Sequence, residues 1–202
     1  MRTKGKKRRP GRPRAFDTGK ALDAALHVFW RQGYEGASLA DLTEAMGINR
    51  PSLYAAFGDK EALFRKVLDR YDEGPAAYVR EALELPSARA SIEGLFHGAA
   101  EMASGATHPR GCLFVQGALA CGDRAEAVRN DLIGRRQAGE KALRQRLQRA
   151  QTEGDLPQDA SPADLARYVV TIIQGISVQA ASGATRKQLR RVIETALRAW
   201  PQ

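Results

Sequence analysis

Apolar residues recur along this chain every three or four positions, the spacing that lines one face of an α-helix. Leu22, Ala25, Leu26 and Phe29 form a first stripe between Asp17, an expected N-cap, and Gln32. Gly33 is the expected stop, because glycine tolerates the left-handed conformation that closes a helix. Ser38 and Asp41 have the spacing of a capping box and predict a second helix to Met46. Gly47 breaks it, Asn49 caps a short third helix to Phe57, and Asp59 caps a fourth with Leu63, Val67, Leu68 and Tyr71 inside. Gly74-Pro75 marks a kink or boundary. Beyond it the period predicts helices over 75–85, 87–104, 112–121, 124–153, 161–182 and 186–199, with SGATHPRG (104–111) as a loop and GDLP (154–157) as a turn. Ser161 with Pro162 reads as a capped start, with proline in the first turn, where its missing N–H costs nothing. Hairpin signals such as Asn-Gly or Asp-Gly do not occur, so the fold class is all-α.

Within this pattern LADLTEAMGINRPSLYAAF (39–57) has helix-turn-helix spacing. Leu42 and Met46 face inward, small Thr43 permits close packing, Gly47 turns the chain and Ile48 plugs the corner. Leu53 and Phe57 anchor the second helix, which leaves Asn49, Arg50, Pro51, Ser52 and Tyr54 on the outer side. A short helix held this way can enter a major groove with its N-terminal residues forward. Arg50 can read guanine bidentately, while Ser52 and Tyr54 hydroxyls suit phosphates. Lys60 adds charge at a helix N-terminus, also favourable for phosphate.

The run from about Phe16 to Tyr71 resembles the DNA-binding domain of the TetR family of transcriptional repressors. The resemblance is carried by FWRQGYEGASL closing the first helix, the ADLTEAMGI turn, SLYAAF in the reading helix and GDKEALF after it. It implies phosphate contacts from Tyr54 and Lys60, with Thr43, Arg50, Pro51 and Ser52 nearest the bases. It also implies a homodimer formed through the last two helices, a palindromic double-stranded DNA operator, and a divergent C-terminal domain that releases the operator on binding a small-molecule inducer. The apolar excess of the 163–182 segment, with Gly175, Ser177 and Ala180 as close-approach positions, agrees with such an interface. A place centrally in its own domain is the other reading of that helix. Phe96, Met102, Cys112, Phe114, Tyr168 and Ile172 are the expected inducer-lining residues. The expected organisation is a basic disordered arm (1–15), a helix-turn-helix domain (16–73, motif 38–57) and a helical ligand-binding and dimerisation domain (74–202).

Charge adds a second element. The formal net charge is +9, and eight basic residues precede position 15 with no acidic one, leaving 24 basic against 23 acidic residues. Basicity therefore sits in the arm, which points to an anionic partner there. Gly11-Arg12-Pro13-Arg14 resembles an AT-hook, and Arg12 and Arg14 are the residues expected to enter a minor groove. An architectural protein binding A·T-rich DNA mainly through this arm is the alternative function.

Other chemistry is sparse. P-loop, nucleophile elbow, H-E-x-x-H and dinucleotide fingerprint are all missing, so no enzyme and no cofactor are expected. His27, His97 and His108 share no ligand spacing, and a single His108–Cys112 pair is too little for a metal. Cys112 and Cys121 are expected in one helix, about 13 Å apart along its axis, too far for an intrachain disulfide. Cys112 reads either as a structural thiol or as one made reactive by a helix N-terminus and Arg110; a Gly-Cys-Leu start also recurs among TetR-like regulators, some of which sense oxidants, electrophiles or metals. No apolar run reaches the roughly 18–20 residues of a membrane span, and a reduced cytoplasmic setting is expected.

Overall fold

Each of the first four helices starts on a side chain that accepts a backbone N–H left over by helix geometry. The computed structural model describes residues 16–105, 107–119 and 125–201. Asp17 caps α1 (Thr18–Gly36) at Lys20, Ser38 caps α2 (Leu39–Met46), Asn49 caps α3 (Arg50–Phe57) and Asp59 caps α4 (Lys60–Glu73). After these come α5 (Ala77–Leu83), α6 (Ala88–Ala103), α7 (Leu113–Leu119), α8 (Glu126–Thr152), α9 (Pro162–Ala181) and α10 (Arg186–Arg198). No strand occurs among the described residues.

Several boundaries depart from the sequence pattern. At Gly33 (φ 71°, ψ 179°) the backbone leaves the helical region, but α1 resumes beyond it to Gly36. The 75–85 segment is helical only over Ala77–Leu83, because Pro75 has no N–H to enter a ladder. Cys112 precedes α7 rather than lying within it, and Cys121 lies outside the described residues.

Two apolar cores organise the chain. In the first, Phe29 of α1 meets Phe64 of α4 edge-on at 4.8 Å, and Leu42, Leu53 and Phe57 close the helix-turn-helix over them. This core does not stop at position 74: Ala76, Met102, Leu113, Val128 and Leu132 belong to it. The second core fills the bundle in which α6 packs on α5, α9 and α10 while α8 runs along α9. Phe96, Ile92, Leu147, Val169 and Ile193 are among its fully buried members.

The turn between α2 and α3 depends on Gly47, which is left-handed (φ 64°, ψ 30°). Nothing lies within 4 Å of where a Cβ would stand, so a side chain there would meet strain only in its own backbone. Gly47→Ala is expected to lower stability by about 1 kcal/mol, read as a shift in the urea midpoint with an unchanged slope. A change in slope would show an effect beyond local backbone strain, on native or unfolded compactness or on two-state unfolding.

Candidate DNA interface and internal cavity

The reading helix is fixed from below and open above. Leu53 and Phe57 are buried, whereas Arg50 and Pro51 are exposed and Tyr54 is 46% exposed, an unusual position for a tyrosine. Arg50 pairs with no carboxylate among the described residues. Asn49 is partly committed: its side-chain oxygen accepts from Ser52 N at 2.9 Å, leaving its amide N–H groups as donors for a partner. Thr43 likewise donates its hydroxyl to Leu39 O at 2.8 Å, so it faces outward as an acceptor and a methyl. Ser52 is half-buried beside these residues.

Lys60 stands at the N-terminus of α4 with its ammonium 4.6 Å from the centre of the Tyr34 ring. Burial lowers its pKa from the ordinary 10.5, and Glu35 opposes that. A phosphate at this helix end would favour the protonated form of Lys60. Tyr34 was not legible as part of this site, since its only sequence signal was an aromatic in the FWRQGYEG segment. Arg12 and Arg14 lie outside the described residues.

The platform beneath is held by the capping box. Ser38 Oγ accepts from Asp41 N at 3.1 Å, and the Asp41 carboxylate accepts from Ser38 N at 3.0 Å and from Ser38 Oγ at 2.7 Å. The Ser38 hydroxyl, then its backbone N–H, hold the Asp41 carboxyl below its ordinary 3.8. A lowered carboxylate pKa stabilises the fold at neutral pH, and that contribution disappears as pH falls through the folded value. Ser38→Ala is therefore expected to lower the melting temperature at pH 7. The difference from wild type should shrink on acidification below about pH 4; a gap independent of pH would mean that the carboxylate is not involved.

A cavity of about 140 Å³, partly open to solvent, lies among α4, α5, α6, α8, α9 and the start of α7. Met102, Cys112 and Phe114 line it, together with Tyr71, Tyr78 and Arg136. The other expected lining residues are elsewhere. Phe96 is fully buried in the second core, because its face of α6 turns toward α9 and α10. Tyr168 and Ile172 border a surface depression between α9 and α10, where Tyr168 donates to Ala196 O at 3.1 Å. Val178 and Val192, exposed by 42% and 43%, stand on the same two helices with exposed Gly175. Ser177 and Ala180 are buried inside the chain and so are not close-approach positions on that outer face.

Cys112 is not activated by its surroundings. Burial raises its pKa, with the Tyr71 hydroxyl and nearby backbone N–H groups only partly opposing. The residue is half-buried by surface because one side opens on the cavity, while protein encloses the rest. Arg110 does not assist: its guanidinium donates to Ala184 O.

Cavity and reader share side chains. The Tyr71 hydroxyl on α4 lies 3.3 Å from Cys112 Sγ and 3.4 Å from Met102 Sδ, and its ring meets Phe114 at 4.8 Å. On its other side it meets Trp30 of α1 edge-on at 4.8 Å, and Trp30 Nε1 donates to Gly111 O at 3.2 Å. Farther along, Arg135 of α8 pairs with Asp69 of α4 at 2.6 Å.

Comparison with known proteins places this geometry. Residues 21–67 match the family described as "Bacterial regulatory proteins, tetR family", and residues 88–199 match "Tetracyclin repressor-like, C-terminal domain". The HTH-type transcriptional repressor ComR of Escherichia coli (strain K12) is 37% identical over 198 residues, 97% of this chain and 94% of that protein. The repressor BdcR of the same organism is 49% identical over 71 residues, 35% of this chain and 36% of that protein. Among solved structures, a cysteine mutant of the TetR family regulator CifR complexed with 26bp double-strand operator DNA has a TM-score of 0.90 at 46% identity, covering 94% of this chain and all of that one. A TetR regulator of Rhodococcus sp. RHA1 superposes at 0.62 with 41% identity, over 90% and 98% of the two chains.

Proposed function

The chain belongs to the TetR family of bacterial regulatory proteins, and on that premise we propose that it acts as a homodimeric repressor released from a palindromic operator by a small-molecule inducer. The observation that carries the reading is α3: buried on Leu53 and Phe57, it holds Arg50, Pro51 and Tyr54 outward at the N-terminal end of a capped helix. Arg50 with Ser52 and Thr43 is assigned to base edges, and Tyr54, Lys60 and the Asn49 amide to phosphates. The division into arm (1–15), reader (16–73) and effector and dimer domain (74–202) belongs to the same proposal. Arg12 and Arg14 are assigned to a minor groove beside the reader, on sequence grounds alone.

The dimer is assigned to the outer faces of α9 and α10, where Tyr168, Ile172, Gly175, Val178 and Val192 expose an apolar stripe across two neighbouring helices. The 140 Å³ cavity is assigned to the inducer. Because Tyr71 borders the cavity and touches Trp30, an occupant that moves Tyr71 also shifts the reader, and with its partner the spacing of two half-sites. The proposal includes no catalytic step and a cytoplasmic location, where operator DNA is met. No helix among the described residues is long and apolar enough to cross a membrane.

Selection from a random-sequence duplex pool, followed by mass measurement of the complexes, tests the reading. The expected product is an inverted repeat carrying whole dimers. Enrichment for A·T content without symmetry would favour the architectural alternative.

A further inference from the structure

We propose that the internal cavity takes a small organic monoanion, a carboxylate on an apolar body about the size of one ring, whose charge is met by Arg136. This rests on the reading of the cavity as the effector site and narrows it to a ligand class.

Arg136 of α8 lines the cavity, and its Nε is buried with no hydrogen-bond partner. Its neighbour Arg135 is satisfied, by Asp69 at 2.6 Å and Asp131 at 3.0 Å. Arg136 pairs with no carboxylate among the described residues; Asp72, exposed at the cavity wall, forms no ion pair with it. A guanidinium N–H that has left water without a partner is costly, and an anion is the partner that compensates best. The influence of Arg136 reaches Cys112, where its charge works against the burial-raised pKa, so the cation lies on the cavity side of the helix.

Two further polar groups on the wall, the Tyr78 hydroxyl and the Gln174 amide, make no hydrogen bond among the described residues. The Tyr71 hydroxyl, by contrast, is occupied by the two sulfurs. Arg136, Tyr78 and Gln174 thus offer donors, while Leu83, Leu95, Phe114 and Ile173 supply an apolar wall. The volume of about 140 Å³ is close to the roughly 150 Å³ of an engineered cavity that holds benzene. A neutral carbonyl could accept from Arg136 but would not balance its charge, and a cation would meet the unpaired guanidinium of Arg136.

The test uses the full-length protein and a panel of monocarboxylates matched with their primary amides: benzoate, phenylacetate and hexanoate against benzamide, phenylacetamide and hexanamide. Binding is measured by calorimetry, and operator release separately by fluorescence anisotropy. At least one acid is expected to bind at least about tenfold more tightly than its amide. Arg136→Gln should bring that ratio close to one, whereas Arg136→Lys should keep part of it; thermal melts of both variants confirm that they fold. Failure of every acid to bind at millimolar concentration, amides binding as well as acids, or an unchanged ratio in Arg136→Gln would overturn the proposal. An acid that binds through Arg136 without releasing operator keeps the anion site and removes the inducer reading. A neutral compound that releases operator where no acid binds does the reverse.

Discussion

The double substitution Arg50→Ala, Tyr54→Ala is expected to reduce affinity for a selected operator by at least about a hundredfold while leaving the fold unchanged. A good base contact is worth about 1–3 kcal/mol and a phosphate contact somewhat less, and a homodimer loses each at both half-sites, which together reach the ~2.8 kcal/mol that a hundredfold requires. Neither side chain contributes to the core: Arg50 is exposed, Tyr54 is 46% exposed, and the helix is anchored by Leu53 and Phe57. Surface changes of this kind usually stay within about 0.5 kcal/mol of wild-type stability. Fluorescence anisotropy with labelled operator measures the first quantity, and thermal melting measures the second. If the double variant still protects the operator in footprinting, α3 is not the reader and the assignment of the interface is wrong.

The second large effect is expected at Trp30. This residue is 4% exposed, stacks on His108 at 4.8 Å, meets Tyr71 edge-on at the same distance and donates its indole N–H to Gly111 O. Trp30→Ala should cost about 3–5 kcal/mol, from lost packing and a carbonyl left without its donor. Trp30→Phe keeps most of the ring and removes only the donor, so about 1–3 kcal/mol is expected. Urea unfolding at one fixed protein concentration measures both variants, since dimer stability depends on concentration. A cost below about 1 kcal/mol for Trp30→Ala would mean that the joint between reader and cavity is not built on this side chain.

The reader was legible in the sequence because its signals are local. Ser38 and Asp41 fix a helix start within four residues, Gly47 a turn at one position, and Leu53 and Phe57 a buried face within one turn and a half. Such features depend on backbone geometry and not on distant partners. The cavity was not legible in the same way. A helical period shows that Phe96 faces inward but not which of two cores it enters, and α6 delivers Phe96 to one and Met102 to the other. Tyr168 and Ile172 show the same limit from outside: periodicity marks them as apolar positions of α9 but not that they border the depression beside α10. Ser177 and Ala180 erred in the opposite direction. Arg136 left no signal at all, because GRRQAGEK reads as a solvated stretch of a long charged helix until α4, α7 and α9 close around it. Tyr71 was visible only as an inner-face aromatic and Trp30 only as part of the FWRQGYEGASL segment, since the loop bringing Gly111 to the indole has no periodicity to read.

The most direct measurement of the central claim is competition between a selected operator and random A·T-rich duplex of equal length for the full-length protein at physiological salt. A sequence-specific reader on α3, with the basic arm as an accessory, predicts at least about a thousandfold preference for the operator. Equal competition by the A·T-rich duplex, with affinity set by salt alone, would contradict it and leave the arm as the principal DNA-binding element.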